Sequence, residues 1–222
     1  MKAKLNEIIK HGHLGIIAAF FAIYMVAFSY IENRDVHHYI VHTVLDEKIP
    51  FCEYFIIPYL LWFIFVAVTV LYFMFFNQNK WKEYYQLMIT LGIGMTLFLV
   101  ISLVFPNGQD LRPVLSGNSI FIQAVQFIYH TDTPTNVLPS IHVYNSLAAF
   151  MAIKRSKLAR KQKGWAWGTG ILTVLIILAT VFLKQHSMFD GACALALYVV
   201  TDKLCYGVNP ETERSKVRNQ LI

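Results

Sequence analysis

Charge is what this sequence has least of. Only 14% of its 222 residues are Asp, Glu, Lys or Arg, against 56% that are hydrophobic. A water-soluble domain of this length covers its surface with far more charge, so a soluble globular fold is excluded as the leading reading. Cysteine is scarce as well. Cys52, Cys193 and Cys205 make no CxxC pair and no disulfide framework, and they read as small apolar fillers. Internal repeats and low-complexity segments are missing, which removes solenoids and linker-rich arrays. The basic leader carrying Lys2, Lys4 and Lys10 is not followed by a convincing small-x-small cleavage site, so the first apolar run reads as an anchor.

What is present is a set of long apolar runs. Leu14–Tyr30, Tyr54–Phe76, Tyr84–Phe105 and Gly164–Leu183 contain no Asp, Glu, Lys or Arg. Each is close to the roughly 20 residues that cross a bilayer core as a helix. Val137–Ile153 and His186–Cys205 are further candidates that carry polar residues. The expected fold is therefore all-α, a polytopic membrane helix bundle of about six transmembrane helices with short interfacial helices in the outer loops. Residues 1–13 form a cytoplasmic leader, 14–205 the membrane domain and 206–222 a cytoplasmic tail too short to fold alone. In the long loop from Pro106 to Leu138, Phe121, Val125 and Ile128 recur at helical spacing within Ser119–Tyr129, which predicts an interfacial helix.

The basic residues orient this bundle. With the amino terminus inside, the inner side collects Lys2, Lys4, Lys10, Lys80, Lys82, Lys203, Arg214, Lys216, Arg218 and the whole cluster from Lys154 to Lys163. Only Arg34, Lys48, Arg112 and Lys184 remain outside. Such a split follows the positive-inside pattern and predicts a multi-pass protein of the cell membrane with cytoplasmic termini. It also explains the net charge of +6 through anionic lipid headgroups, without nucleic acid.

Ionisable residues in or at the mouth of a membrane bundle are costly and mark function. Arg112, His142 in Pro139-Ser-Ile-His142, and Lys184, His186 and Asp190 in Lys184-Gln-His-Ser-Met-Phe-Asp190 all fall on the outer side of this topology. His186 and Asp190 are four apart, a spacing that places them on one face of a helix. A carboxylate on one imidazole nitrogen fixes the tautomer and raises the nucleophilicity of the other. His142 is a second imidazole suited to protonate a leaving oxygen. Arg112 offers a planar fork for phosphate, Lys184 a point charge, and Pro139-Ser140 a helix start whose N–H groups favour an anion. His130, Asp132 and Glu53 read as ordinary surface residues. His37, His38 and His42 in the first outer loop read as solvated histidines rather than metal ligands.

These residues resemble the type 2 phosphatidic acid phosphatase superfamily, membrane lipid phosphatases related to the vanadium haloperoxidases. Pro139-Ser140-Ile141-His142 is similar to its Pro-Ser-x-His motif, His186-x3-Asp190 to the end of its Ser-Arg-x5-His-x3-Asp motif, and Arg112-Pro113 to the end of its Lys-x6-Arg-Pro motif. Phe105 stands where the first motif has Lys, and Ala179-Thr180 where the third has Ser-Arg. That drift resembles the branch containing inositol phosphorylceramide synthase-like transferases. The resemblance implies a metal-independent, cofactor-free hydrolase of a lipid phosphomonoester or diphosphate. His186 would be the nucleophile that becomes a phosphohistidine, Asp190 its orienter and His142 the proton donor. Arg112 and Ser140 would hold the phosphoryl oxygens, with Lys184 replacing a lost cation. Transfer to another lipid alcohol and an inactive lipid-binding relative are the alternatives.

Overall fold

A computed structural model describes residues 2–76 and 81–207, with the backbone alone for residues 2–14. The tail from residue 208 onwards, Lys80 and the leader side chains Lys2, Lys4 and Lys10 therefore lie outside the described residues. Three quarters of the chain is helical. In chain order the helices are α1 (Lys2–Glu32), α2 (Val44–Lys48), α3 (Ile56–Phe75), α4 (Trp81–Val104), α5 (Ile120–Thr131), α6 (Ile141–Arg155), α7 (Lys157–Lys161), α8 (Lys163–Phe182) and α9 (Met188–Tyr206). Two short extended pieces, Tyr39–Ile40 and Asn107–Gly108, pair in parallel and tie the first outer loop to the third.

Four helices are long and apolar enough to cross a membrane: Gly15–Glu32, Glu53–Phe75, Trp81–Val104 and Lys163–Phe182. They coincide with the four charge-free runs. The two polar candidates do not meet that standard, and their packing gives the reason. Helix α6 has 15 residues and buries eight of them, from Val143 to Ile153, against α3, α4, α8 and α9. A helix surrounded by protein has no need of a lipid-soluble surface, and small or polar residues such as Asn145, Ser146, Ala148 and Ala149 let its neighbours approach. Helix α9 begins with Asp190 and carries Asp202, whose carboxylate is gripped by both terminal nitrogens of Arg155 at 2.6 and 2.7 Å and by the Tyr198 hydroxyl. That bidentate pair fixes the end of α6 to α9.

The expected loop helix is α5, started by Ser119, whose Oγ accepts from the Ile122 N–H. Its buried face is Ile122, Val125 and Ile128. Phe121 sits at the margin and meets the Tyr54 ring edge-on.

A second outer element bears directly on the site. Helix α2 places Asp46 against the start of α9, where its carboxylate accepts from Ser187 Oγ at 2.6 Å, Met188 N at 2.7 Å and both Thr43 N and Oγ1. Burial raises the pKa of this carboxyl, but the hydrogen bonds outweigh burial and hold it below the usual carboxylate value. Its stabilisation is therefore full above the unfolded carboxylate range and lost as pH falls through the lower folded value. Asp46→Ala is expected to cost about 2–3 kcal/mol, the range for hydrogen bonds to a buried charge. The same substitution should flatten the acid limb of the unfolding midpoint against pH, measured in detergent.

Candidate active site

Three local structures build the site. Ser140 caps α6, its Oγ accepting from Val143 N at 3.4 Å, and so sets His142 in the first turn. Helix α8 ends in a Schellman turn: Gln185 N reaches Thr180 O at 2.9 Å and Lys184 N reaches Val181 O at 3.2 Å. The left-handed position of that turn, which favours glycine, is occupied by Lys184 at φ 53°. His186 N also bonds to Thr180 O, so Gln185 and His186 are both fixed by the end of α8. Ser187 then caps α9, and Asp190 closes a capping box by accepting from Ser187 N at 2.8 Å. The N–H of Ser140 donates to the backbone carbonyl of Asp190, joining the two helix starts.

These turns bring His142, His186 and Asp190 into a line. His142 Nδ1 lies 3.3 Å from His186 Nε2, and His186 Nδ1 lies 3.4 Å from Asp190 Oδ2. Asp190 is fully buried and His186 nearly so. The His142 ring is packed between Tyr59 and Trp62, with ring centroids 4.7 and 4.3 Å away. The helix-face reasoning behind the His186–Asp190 pair needs correction: His186 precedes the cap of α9, and the two meet across the capping turn.

Both histidines line a cavity of about 480 Å³. Its apolar walls are Phe21, Tyr24, Met25 and Phe28 from α1, Phe63 from α3, and Met95 and Phe98 from α4. Its polar end adds Glu32, Asp132, Asn136, Asn145 and Gln185 to the histidines. The end of α1, the starts of α3 and α6, the late turns of α4 and the α8–α9 turn thus converge at one end of the bundle.

The expected phosphate-binding shell is placed differently. Lys184 turns away from the cavity, its Nζ donating to the carbonyls of Asp46 at 2.6 Å and Ile49 at 2.5 Å. Burial lowers its pKa against the opposing pull of Asp46. Ser140 is fully buried as a cap and does not line the cavity. Arg112 also stands behind the wall: it donates to the carbonyls of Tyr129 at 3.1 Å and Thr133 at 3.2 Å, and to Gln185 Oε1 at 2.6 Å, and stacks over the Tyr129 ring. Burial lowers the Arg112 pKa against the pull of Asp132, Tyr129, Tyr59 and Glu32. Burial likewise pushes the Tyr129 hydroxyl up to about 12, partly offset by Arg112. In all three cases a side chain chosen for its chemistry is spent on backbone that would otherwise lack a partner.

Residues not singled out from the sequence take their place. Asp132 accepts from the Tyr59 hydroxyl at 3.2 Å, and Glu32 accepts from Thr133, Thr135 and Asn136. His42 is held between Asp110 at 3.1 Å and Glu47 at 3.3 Å, so it is a bridging group rather than a free solvated one. Among the described residues no three His, Cys, Asp or Glu side chains are placed to hold a metal ion. Comparison with known proteins returns no match to this chain, whether family model, curated protein or solved structure.

Proposed function

We propose that this chain is an integral membrane enzyme that cleaves a lipid phosphate ester through a phosphohistidine at His186. The observation that carries the reading is the buried line His142–His186–Asp190 at the polar end of an otherwise apolar and aromatic cavity. The motif resemblance supports it, and so does the cost of holding three ionisable groups inside a bundle without use for them. In the proposed reaction His186 Nε2 attacks phosphorus while Asp190 holds Nδ1–H. The ester oxygen leaves with the proton of His142. Water, deprotonated by His142, then releases phosphate from His186.

On this reading α6 and α9 cross the membrane with the four apolar helices, the termini are cytoplasmic and the site opens on the outer side. The apolar walls take the lipid tail, and no metal or cofactor is used. The test is product release from a panel of lipid phosphates by the purified chain in mixed micelles. Turnover that is blocked by vanadate, unaffected by chelator and lost in His186→Ala supports the proposal. Turnover lost with chelator would instead make the histidines metal ligands. A new phospholipid carrying the labelled headgroup, in place of free product, would make the acceptor a lipid alcohol. No product from any lipid would leave an inactive lipid-binding relative.

A further inference from the structure

Resting on that phosphohistidine reading, we infer that the phosphoryl oxygens are held by the Gln185 side-chain amide, polarised by Arg112, and that the site therefore takes a singly charged phosphodiester lipid. The amide is next in sequence to His186 and lines the same cavity. Its side chain is only 2% exposed, its Oε1 accepts from Arg112 at 2.6 Å, and its Nε2 has no acceptor among the described residues. A buried amide donor without a partner costs about 1–3 kcal/mol, and a phosphoryl oxygen on His186 supplies that partner. The guanidinium withdraws electron density through the amide, so the positive charge of Arg112 reaches the cavity as a stronger N–H donor rather than as a cation.

Charge selects the substrate class. No Lys or Arg lines the cavity among the described residues, while Glu32 and Asp132 do. A phosphomonoester brings close to two negative charges to this wall and a phosphodiester brings one. Each additional unit charge near a carboxylate costs on the order of several kcal/mol at the effective dielectric of a protein interior. The Asn145 Oδ1 and Asn136 Oδ1 atoms, also buried without partners, add acceptors and no compensating positive charge. The neutral donor and the carboxylates both favour the diester. Arg112 is on this account a positioning residue.

The experiment is a kcat/KM comparison in mixed micelles of phosphatidate with phosphatidylcholine, phosphatidylethanolamine and phosphatidylglycerol, for the parent chain and Gln185→Glu. The glutamate keeps the acceptor for Arg112 and loses the donor. Expected are at least a tenfold preference for a diester and a loss of roughly 10²-fold in Gln185→Glu, the scale for one preorganised donor to a developing charge. The unfolding midpoint should be unchanged, which a purely structural Gln185 would not separate from activity. Phosphatidate turned over fastest, by a His186-dependent route, overturns the diester inference and leaves the phosphohistidine standing. Full activity in Gln185→Glu overturns the donor role. No turnover of any lipid overturns both.

Discussion

His186→Ala is expected to remove turnover by a factor on the order of 10⁴ or more, the largest loss of any single substitution in this chain. The two imidazoles share one contact of 3.3 Å, yet their substitutions should separate cleanly. His186 forms the bond to phosphorus, so no choice of leaving group compensates for its loss. His142 supplies a proton, so its removal costs about 10²–10⁴-fold on an alcohol leaving group and much less on a nitrophenol, which departs as the anion. His142→Ala with a nitrophenyl phosphate lipid should accumulate phosphohistidine, because the water step lacks its base. Phosphorus NMR of the quenched enzyme detects that species. Asp190→Asn isolates the third member: the amide oxygen still accepts from Ser187 N and keeps the cap of α9, while the charge behind His186 is lost. A fall of about 10–10³-fold with an unchanged unfolding midpoint is expected. His186→Ala retaining activity within tenfold of the parent would end the proposal.

How much of this was legible depends on what each residue is used for. The helices at Gly15–Glu32, Glu53–Phe75, Trp81–Val104 and Lys163–Phe182 were readable because lipid-facing surface must exclude charge, and exclusion leaves a long clean run. Helix α6 was only half readable, because its solvent is other helices and its composition follows theirs. The same economy exposed His142, His186 and Asp190: ionisable groups at these positions need a reason. The binding shell gave no such signal. Lys184 and Arg112 looked like free cations in sequence, and only the Schellman turn and the loops around α2 and α5 show that their nitrogens are spent on carbonyl oxygens. Gln185 is neutral and sits beside a more conspicuous histidine. Glu32 and Asp132 come from separate segments, and only tertiary packing places them on one wall. The Thr133-x-Thr135-Asn136 run around Glu32 was the one local hint, a string of short donors next to a carboxylate.

Packing far from the chemistry should matter almost as much, and Gly94 on α4 is where it is sharpest. A Cβ at Gly94 would overlap the edge of the Tyr144 ring. In a free helix, Gly→Ala is worth about 0.5–1 kcal/mol in favour of alanine. Here that gain is opposed by overpacking, which costs about 1–3 kcal/mol when the neighbour cannot move. Tyr144 cannot move easily. It is 2% exposed, its hydroxyl donates to Thr90 O at 2.8 Å on α4 itself, and its ring meets Tyr198 of α9 edge-on. The clash therefore separates α4 from α6 rather than turning the ring. His142 lies two residues from Tyr144 on the same helix, so the shift is carried to the His142–His186 contact. A displacement of about 1 Å at such a contact costs on the order of 10²-fold in rate. Gly94→Ala is accordingly expected to lower both the unfolding midpoint in detergent and kcat, with KM little changed. Gly94→Ala combined with Tyr144→Leu should be less destabilised than the sum of the two alone, because the leucine vacates the space the methyl needs. Strict additivity in that cycle, or Gly94→Ala as stable as the parent, would show that α6 is not held at His142 by this contact.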